Sequence, residues 1–168
     1  MTRLGSQFDF RGKLLDHPLD RATEVGLVAR VGFGRFPDPA RNVRPEGFSD
    51  IKGTLEIFKP YAAGLKDIAG FSHLVVIFAF HQARGQKLRV RPPFQKDWRG
   101  VFATRSPRRP NPVGMTVVKL LGRKKNLLQV AGVDMIEGTP ILDIKPYTAG
   151  DGKRGAKYGW QERRTNKA

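Results

Sequence analysis

Apolar and polar positions alternate along this chain in short runs, and each run is closed by glycine or proline. Glu24–Val31 is rich in β-branched residues and reads as a first strand, and Gly53–Phe58 alternates with the period of a half-buried strand. Ser72–His81 is almost continuously apolar, which predicts a strand buried on both sides through its middle. Leu88–Arg91 is a short basic strand that stops at Pro92-Pro93, and Gly100–Thr104 is another short strand. Met115–Leu121 and Leu127–Val133 form a predicted hairpin joined by Gly122–Asn126. Gly138-Thr139-Pro140 turns the chain into a last strand, Ile141–Lys145. Pro60–Asp67 is the one helical candidate, with proline at its start and Gly70 ending the turn. Gly32–Asp50 is a loop. Strands at short spacing with Gly/Pro turns argue an all-β barrel or sandwich. No βαβ alternation is visible, which speaks against a Rossmann-type domain. Gly32-Phe33-Gly34 is no dinucleotide fingerprint, because Pro37 stands at its third glycine and no helix follows.

Three segments follow from this pattern. Residues 1–21 are a mixed polar extension, 22–150 hold the strands, and 151–168 form a Gly-rich basic tail. The chain has 168 residues and can bury a core. Its formal charge of +16 changes the picture, because a field of that sign attracts polyanions. From Arg84 to Arg109 there are nine Lys/Arg against the single acid Asp97, which is half the net charge, with Phe94, Trp98 and Phe102 interleaved. Basic side chains neutralise phosphates, and exposed aromatics stack on unpaired bases. Without cysteine there is no disulfide framework, zinc thiolate or cysteine nucleophile, which suits a reducing cytoplasm. The longest apolar run, Leu74–Phe80, is strand-sized, so no membrane span is expected.

Candidate chemistry concentrates in Arg99–Gly114, with four Arg and three Pro in sixteen residues. Proline removes donors and fixes φ, so the segment reads as a stiff polar loop carrying guanidinium forks. His73 and His81 bracket the long strand, and an even separation puts them on one face if the strand is regular. No third ligand has metal-like spacing to them, so no metal site is expected. His81-Gln82 offers donors and acceptors at the strand exit. Asp134, Glu137 and Asp143 cluster near the last turn, and Asp143 and Lys145 alternate on one strand face. No Ser-His-Asp order or glycosidase-like carboxylate pair stands out.

Thr104-Arg105-Ser106-Pro107 followed by Arg109-Pro110-Asn111-Pro112-Val113-Gly114 resembles the central motif of the TrmO (TsaA-like) family. Further segments match in order: Phe71-Ser72-His73, Val90-Arg91-Pro92-Pro93, Gly132-Val133-Asp134, Glu137-Gly138-Thr139-Pro140 and Leu142-Asp143-Ile144-Lys145-Pro146-Tyr147. The resemblance implies a small single-domain β-barrel with long connecting loops and at most one or two short helices. It implies an S-adenosylmethionine-dependent methyltransferase, acting as a homodimer with its cofactor near the subunit interface. The implied reaction methylates N6 of threonylcarbamoyladenosine beside the anticodon of a tRNA. Carried over by motif, the cofactor contacts are Arg41, Asn42, His81, Gln82, Arg105, Met115, Gly138, Thr139, Pro140 and Ile141. Arg105 would meet the methionine carboxylate or order its loop, Gln82 and the backbone near Gly138 would read adenine edges, and Met115 would pack on the cofactor. Asn111, Asp143, Lys145 and Tyr147 are the candidates for substrate alignment.

Two departures qualify the match. Pro39-Ala40-Arg41-Asn42 replaces the family's Pro-Arg-Gln and lies in a longer loop. The second C-terminal domain of longer members has no counterpart here, and the basic tail (Lys153, Arg154, Lys157, Arg163, Arg164, Lys167) can substitute in holding RNA. A non-catalytic RNA-binding barrel and a methyltransferase for a non-tRNA substrate are the alternatives.

Overall fold

The computed structural model describes residues 28–32, 51–93 and 95–162. Six strands close into an antiparallel barrel: β1 (Ala29–Gly32), β2 (Lys52–Ile57), β3 (His73–Ala79), β6 (Val113–Lys124), β7 (Leu127–Ala131) and β8 (Pro140–Pro146). Their order around the barrel is β1-β2-β7-β6-β3-β8, and β8 pairs with β1 to close it. Closure leaves no barrel strand at a sheet edge. A separate ribbon, the arm, pairs β4 (Arg89–Val90) with β5 (Arg99–Gly100) outside the barrel sheet, and its Val90 is buried.

Alternation sets the inside. Leu74, Val76 and Phe78 of β3 are buried, with Val118 of β6, Leu128 and Val130 of β7, Leu55 and Ile57 of β2, and Ile141 of β8. Val75 and Ile77 face outward and are only half-buried, so β3 is not buried on both sides as its sequence predicts. Its continuous apolar run arises because the outward positions are apolar too. Opposite them in register lie Val117 and Met115, both exposed. The outer wall of β3 and β6 is therefore an apolar face.

Other differences have local causes. Gly100–Thr104 is strand only at Gly100; Val101–Ala103 forms a 3-10 turn, with Thr104 Oγ1 donating to the Val101 carbonyl at 2.8 Å. The β6–β7 hairpin is tighter than predicted. β6 runs through Gly122-Arg123-Lys124, the turn is Lys125-Asn126, and Lys125 adopts φ +55°. A bulge between Leu120 and Gly122 absorbs the extra length. The helical candidate is a 3-10 segment, Lys59–Leu65, with proline in its first turn, followed by a second turn at Ile68–Gly70. Ala29–Gly32 falls at the end of the first predicted strand. Gly32, predicted to open the loop Gly32–Asp50, instead ends β1, paired with Thr54; the extension 1–21 and residues 33–50 lie outside the described residues.

The two ends of the barrel are built differently. At the end where β3 begins, Leu65 plugs the core, Arg123 Nη1 donates to the Leu65 carbonyl at 2.6 Å, and Asn126 Nδ2 donates to the Ile57 carbonyl at 2.7 Å. At the end where β3 finishes, the chain leaves as Phe80-His81-Gln82, Val133 and Met135 pack into the core, and cavities open outside them.

Candidate functional site

The open end gathers three chain segments around the exit of β3. The Phe80 amide donates to the Pro112 carbonyl at 2.8 Å, which fastens this exit to the start of β6. The loop 104–112 then lies across the end. Its shape comes from its own side chains: the Ser106 amide donates to Thr104 Oγ1 at 3.3 Å, and Arg109 Nη1 donates to the Thr104 carbonyl at 3.1 Å. The Lys87 amide donates to the Arg108 carbonyl at 3.1 Å and ties the arm to this loop. With prolines at 107, 110 and 112, the loop is stiff enough to hold guanidiniums in place. On the other side, Gly138 with φ +77° makes the turn into β8, and its amide donates to the Val31 carbonyl at 2.9 Å. Thr139 is buried and donates through Oγ1 to the Ile136 carbonyl at 2.7 Å.

Two adjoining cavities open here. The smaller, about 360 Å³, is lined by His81, Gln82, Pro107, Arg108, Met135 and Thr139 among others. The larger, about 720 Å³, is lined by Arg91, Thr104, Arg105, Arg109, Met115 and Trp160 among others. Phe78, Phe80, Pro107 and Asp134 belong to both linings and form the partition. Phe78 and Phe80 meet edge to face at 5.1 Å. The Phe78 ring lies on Gly114, where a Cβ would come within 2.4 Å of the ring, so only glycine leaves it this position.

Partial desolvation moves the two titratable groups nearest the partition in the directions that favour their neutral forms, although His81 is only half-buried and Asp134 is exposed at the cavity surface. Desolvation lowers His81 below the ordinary histidine value, opposed by a hydrogen bond with the Ala79 backbone. Desolvation raises the Asp134 carboxyl, opposed by hydrogen bonds from the Thr116 side chain and from its own backbone, and by the charge of Arg105.

The structure brings some of the sequence candidates together and leaves others apart. His81, Gln82, Arg105, Met115 and Thr139 line the cavities, and Gly138, Pro140 and Ile141 form the turn and strand start beneath them. Arg41 and Asn42 lie outside the described residues. Within one chain, Asn111, Asp143, Lys145 and Tyr147 line neither cavity. Asp143 and Lys145 pair at 2.5 Å, opposite the outward-facing Ile77 and Val75. Tyr147 stands at the other end of β3, edge to face with His73 at 6.3 Å. His73 and His81 are therefore at opposite ends of the barrel; β3 stops at Ala79 after a register shift at Ile77/Phe78. Among the described residues no group of three or more His, Asp or Glu is placed to hold a metal ion.

Asp134 and Trp160 line the cavities although neither is among the candidate site residues of the sequence; Asp134 ends the matching Gly132-Val133-Asp134 segment without a role. Asp134 was one of three acids near the last turn, and nothing in its spacing marks it as the one turned toward Arg105. Trp160 belongs to the segment read as a tail. Its Nε1 donates to the Ala103 carbonyl at 2.8 Å, and the Arg99 guanidinium lies 5.7 Å from its ring centre. Of the three aromatics in the basic stretch, Trp98 and Phe102 are exposed, Phe102 by 75%. Phe94 lies outside the described residues.

Comparison with known proteins gives this geometry a context. Residues 39–150 match the tRNA-methyltransferase O N-terminal domain. A probable S-adenosyl-L-methionine-binding protein of Pyrococcus abyssi is 44% identical over 126 residues, covering 74% of this chain and 68% of that protein. A tRNA (adenine(37)-N6)-methyltransferase of Mus musculus is 38% identical over 141 residues, covering 82% of this chain. A crystal structure of TrmO superposes with a TM-score of 0.63 at 35% identity, covering 79% of this chain. The chain spans 32% of the mouse protein and 61% of the TrmO chain.

Proposed function

The chain belongs to the tRNA-methyltransferase O N-terminal domain family, and from that premise we propose that it is an S-adenosylmethionine-dependent methyltransferase acting on tRNA. The observation that carries this reading is the pair of adjoining cavities at the open end of the barrel, ringed by His81, Gln82, Arg105 and Thr139. The residues suit the cofactor: Arg105 offers a guanidinium for its carboxylate, and the Gln82 amide and His81 ring offer partners for adenine edges. S-adenosylmethionine supplies a methyl group on a positively charged sulfur when bound. This chain's own task is then to align a nitrogen with that methyl and to remove a proton.

The excess of positive charge from Arg84 to Arg109 supports RNA as the substrate, because that arm borders the larger cavity through Arg91. N6 of the threonylcarbamoylated adenosine beside the anticodon is the specific acceptor we propose. Residues 22–150 are the catalytic domain in this reading. The apolar outer face of β3 and β6, with Val75, Ile77, Met115 and Val117, is proposed as the contact between two copies in a homodimer. Met115 also lines the larger cavity, so the second copy would cover its rim and bring Asp143, Lys145 and Tyr147 toward it. These three, with Asn111, remain the candidates for substrate alignment.

The test is transfer of labelled methyl from S-adenosylmethionine to tRNA that lacks the modification. Label appearing in the nucleoside at the position beside the anticodon supports the reading. Saturable RNA binding without transfer favours the non-catalytic barrel. Affinity for tRNA should fall steeply with salt, as phosphate neutralisation requires.

A further inference from the structure

We infer that Asp134 takes the proton from the substrate nitrogen, at the partition between a chamber for the cofactor and a chamber for the nucleoside. The inference rests on the methyltransferase reading and concerns which group performs its proton transfer.

The placement of Asp134 is the first argument. It is the one carboxylate in either lining among the described residues, and it belongs to both. A group that touches both chambers is within reach of a nitrogen presented from one side to a methyl presented from the other. The chambers differ in character. The smaller carries the Gln82 amide and the His81 ring, suited to the edges of a small heterocycle. The larger has twice the volume, about 720 Å³ against 360 Å³, and is bordered by Arg91 and Arg109, so a polyanion approaches from that side, while Arg105, whose charge reaches Asp134 at the partition, is left for the cofactor carboxylate.

The second argument is chemical. The acceptor is a neutral nitrogen bearing hydrogen. As the nitrogen–carbon bond forms and the carbon–sulfur bond breaks, the sulfur keeps the electron pair and positive charge passes to nitrogen. That charge is discharged when the N–H proton moves to a carboxylate oxygen and its bonding pair stays on nitrogen. The products are a neutral methylated amide or amine, a thioether and a carboxylic acid, which returns its proton to water. Asp134 is held for this task by the Thr116 side chain, which donates to it, while the charge of Arg105 favours its ionised form. Asp134 stays exposed at the cavity surface, and the partial desolvation by the groups packed round it raises its carboxyl, which makes the carboxylate a stronger base. His81, the other base nearby, lies in the smaller chamber, on the cofactor side.

Asp134→Asn keeps the shape and removes the base. Four readouts are taken on wild type and variant: cofactor affinity by calorimetry, tRNA affinity by filter binding, single-turnover methyl transfer across pH, and melting temperature across pH. We expect both affinities within about threefold of wild type and transfer at neutral pH slowed by about 100-fold or more, the low end for a lost general base. The acidic limb of the rate profile should vanish in the variant. In wild type, stability should decline as pH rises from the ordinary carboxylate value through the raised one, because the folded state then holds the proton that the unfolded chain has released. The variant should lack that decline. Transfer at the wild-type rate in Asp134→Asn, or loss of cofactor affinity that parallels the loss of rate, overturns the assignment while leaving the methyltransferase reading in place. Wild type that binds both ligands and transfers no methyl overturns the reading and this assignment with it.

Discussion

The two ends of the barrel are made from the same strands and do opposite things. Where β3 begins, Leu65 fills the opening, and Arg123 and Asn126 spend their side-chain donors on the carbonyls of Leu65 and Ile57. Where β3 finishes, the partition residues Phe78, Phe80 and Asp134 separate cavities instead of closing them, and arginines face the space. Among the described residues, the two barrel groups with displaced titrations, His81 and Asp134, both sit at this open end. The third displaced group, Asp151, is in the tail, where hydrogen bonds from the Thr148 amide and hydroxyl lower it. The contrast shows a division of labour: one end uses its side-chain donors to fasten the core, and the other uses them to hold a loop and a carboxylate around open cavities.

Substitutions at each end should separate these roles. The largest effect on stability is expected at the closed end. Leu65→Ala removes a core side chain and should cost about 2–5 kcal/mol in denaturant unfolding. Cofactor affinity of the folded fraction should stay unchanged, and a matching loss of affinity would mean that the ends are coupled. Gly114→Ala comes next. Its Cβ would collide with the Phe78 ring, so either the ring or β6 must move. A cost of about 1–3 kcal/mol is expected, as for other overpacked positions. Unlike Leu65→Ala, it should also weaken cofactor binding, because Phe78 forms the partition. Asn126→Ala should have the smallest effect, about 1 kcal/mol from the lost bond to the Ile57 carbonyl. Thermal melts and cofactor titration of the same samples report both quantities.

The barrel was legible because its signals are local. Alternation in Gly53–Phe58 and in the β6–β7 hairpin fixes which residues turn inward, and the Gly/Pro turns punctuate them. What the pattern concealed follows from closure. A run of apolar residues in β3 reads as burial on both faces, although Val75 and Ile77 point outward. Gly122-Arg123-Lys124 looks like turn chemistry, yet it continues the strand, because the bulge and the positive φ at Lys125 make a two-residue turn sufficient. For the site, the motif residues Arg105, His81, Gln82 and Thr139 could be named from the chain and do line the cavities. Asp134 appears there only as the end of a matching segment and one of three clustered acids, with no role, and Trp160 only as part of the tail. Their roles depend on which segment the fold lays against the loop 104–112, and sequence spacing carries no trace of that. Asp143 and Lys145 alternate along the sequence as an ion pair on one strand face would, and in one chain they form that pair on the outer wall.

The central claim is that the open end binds S-adenosylmethionine through its arginine loop. Calorimetric titration of the cofactor into wild type, Arg105→Ala and Asn126→Ala tests it most directly. The account predicts saturable binding to wild type and to Asn126→Ala with equal affinity. It predicts weakening of about 10-fold or more in Arg105→Ala, the scale of a lost charge-assisted hydrogen bond. No saturable binding to wild type, with or without tRNA, or full affinity in Arg105→Ala, would contradict it.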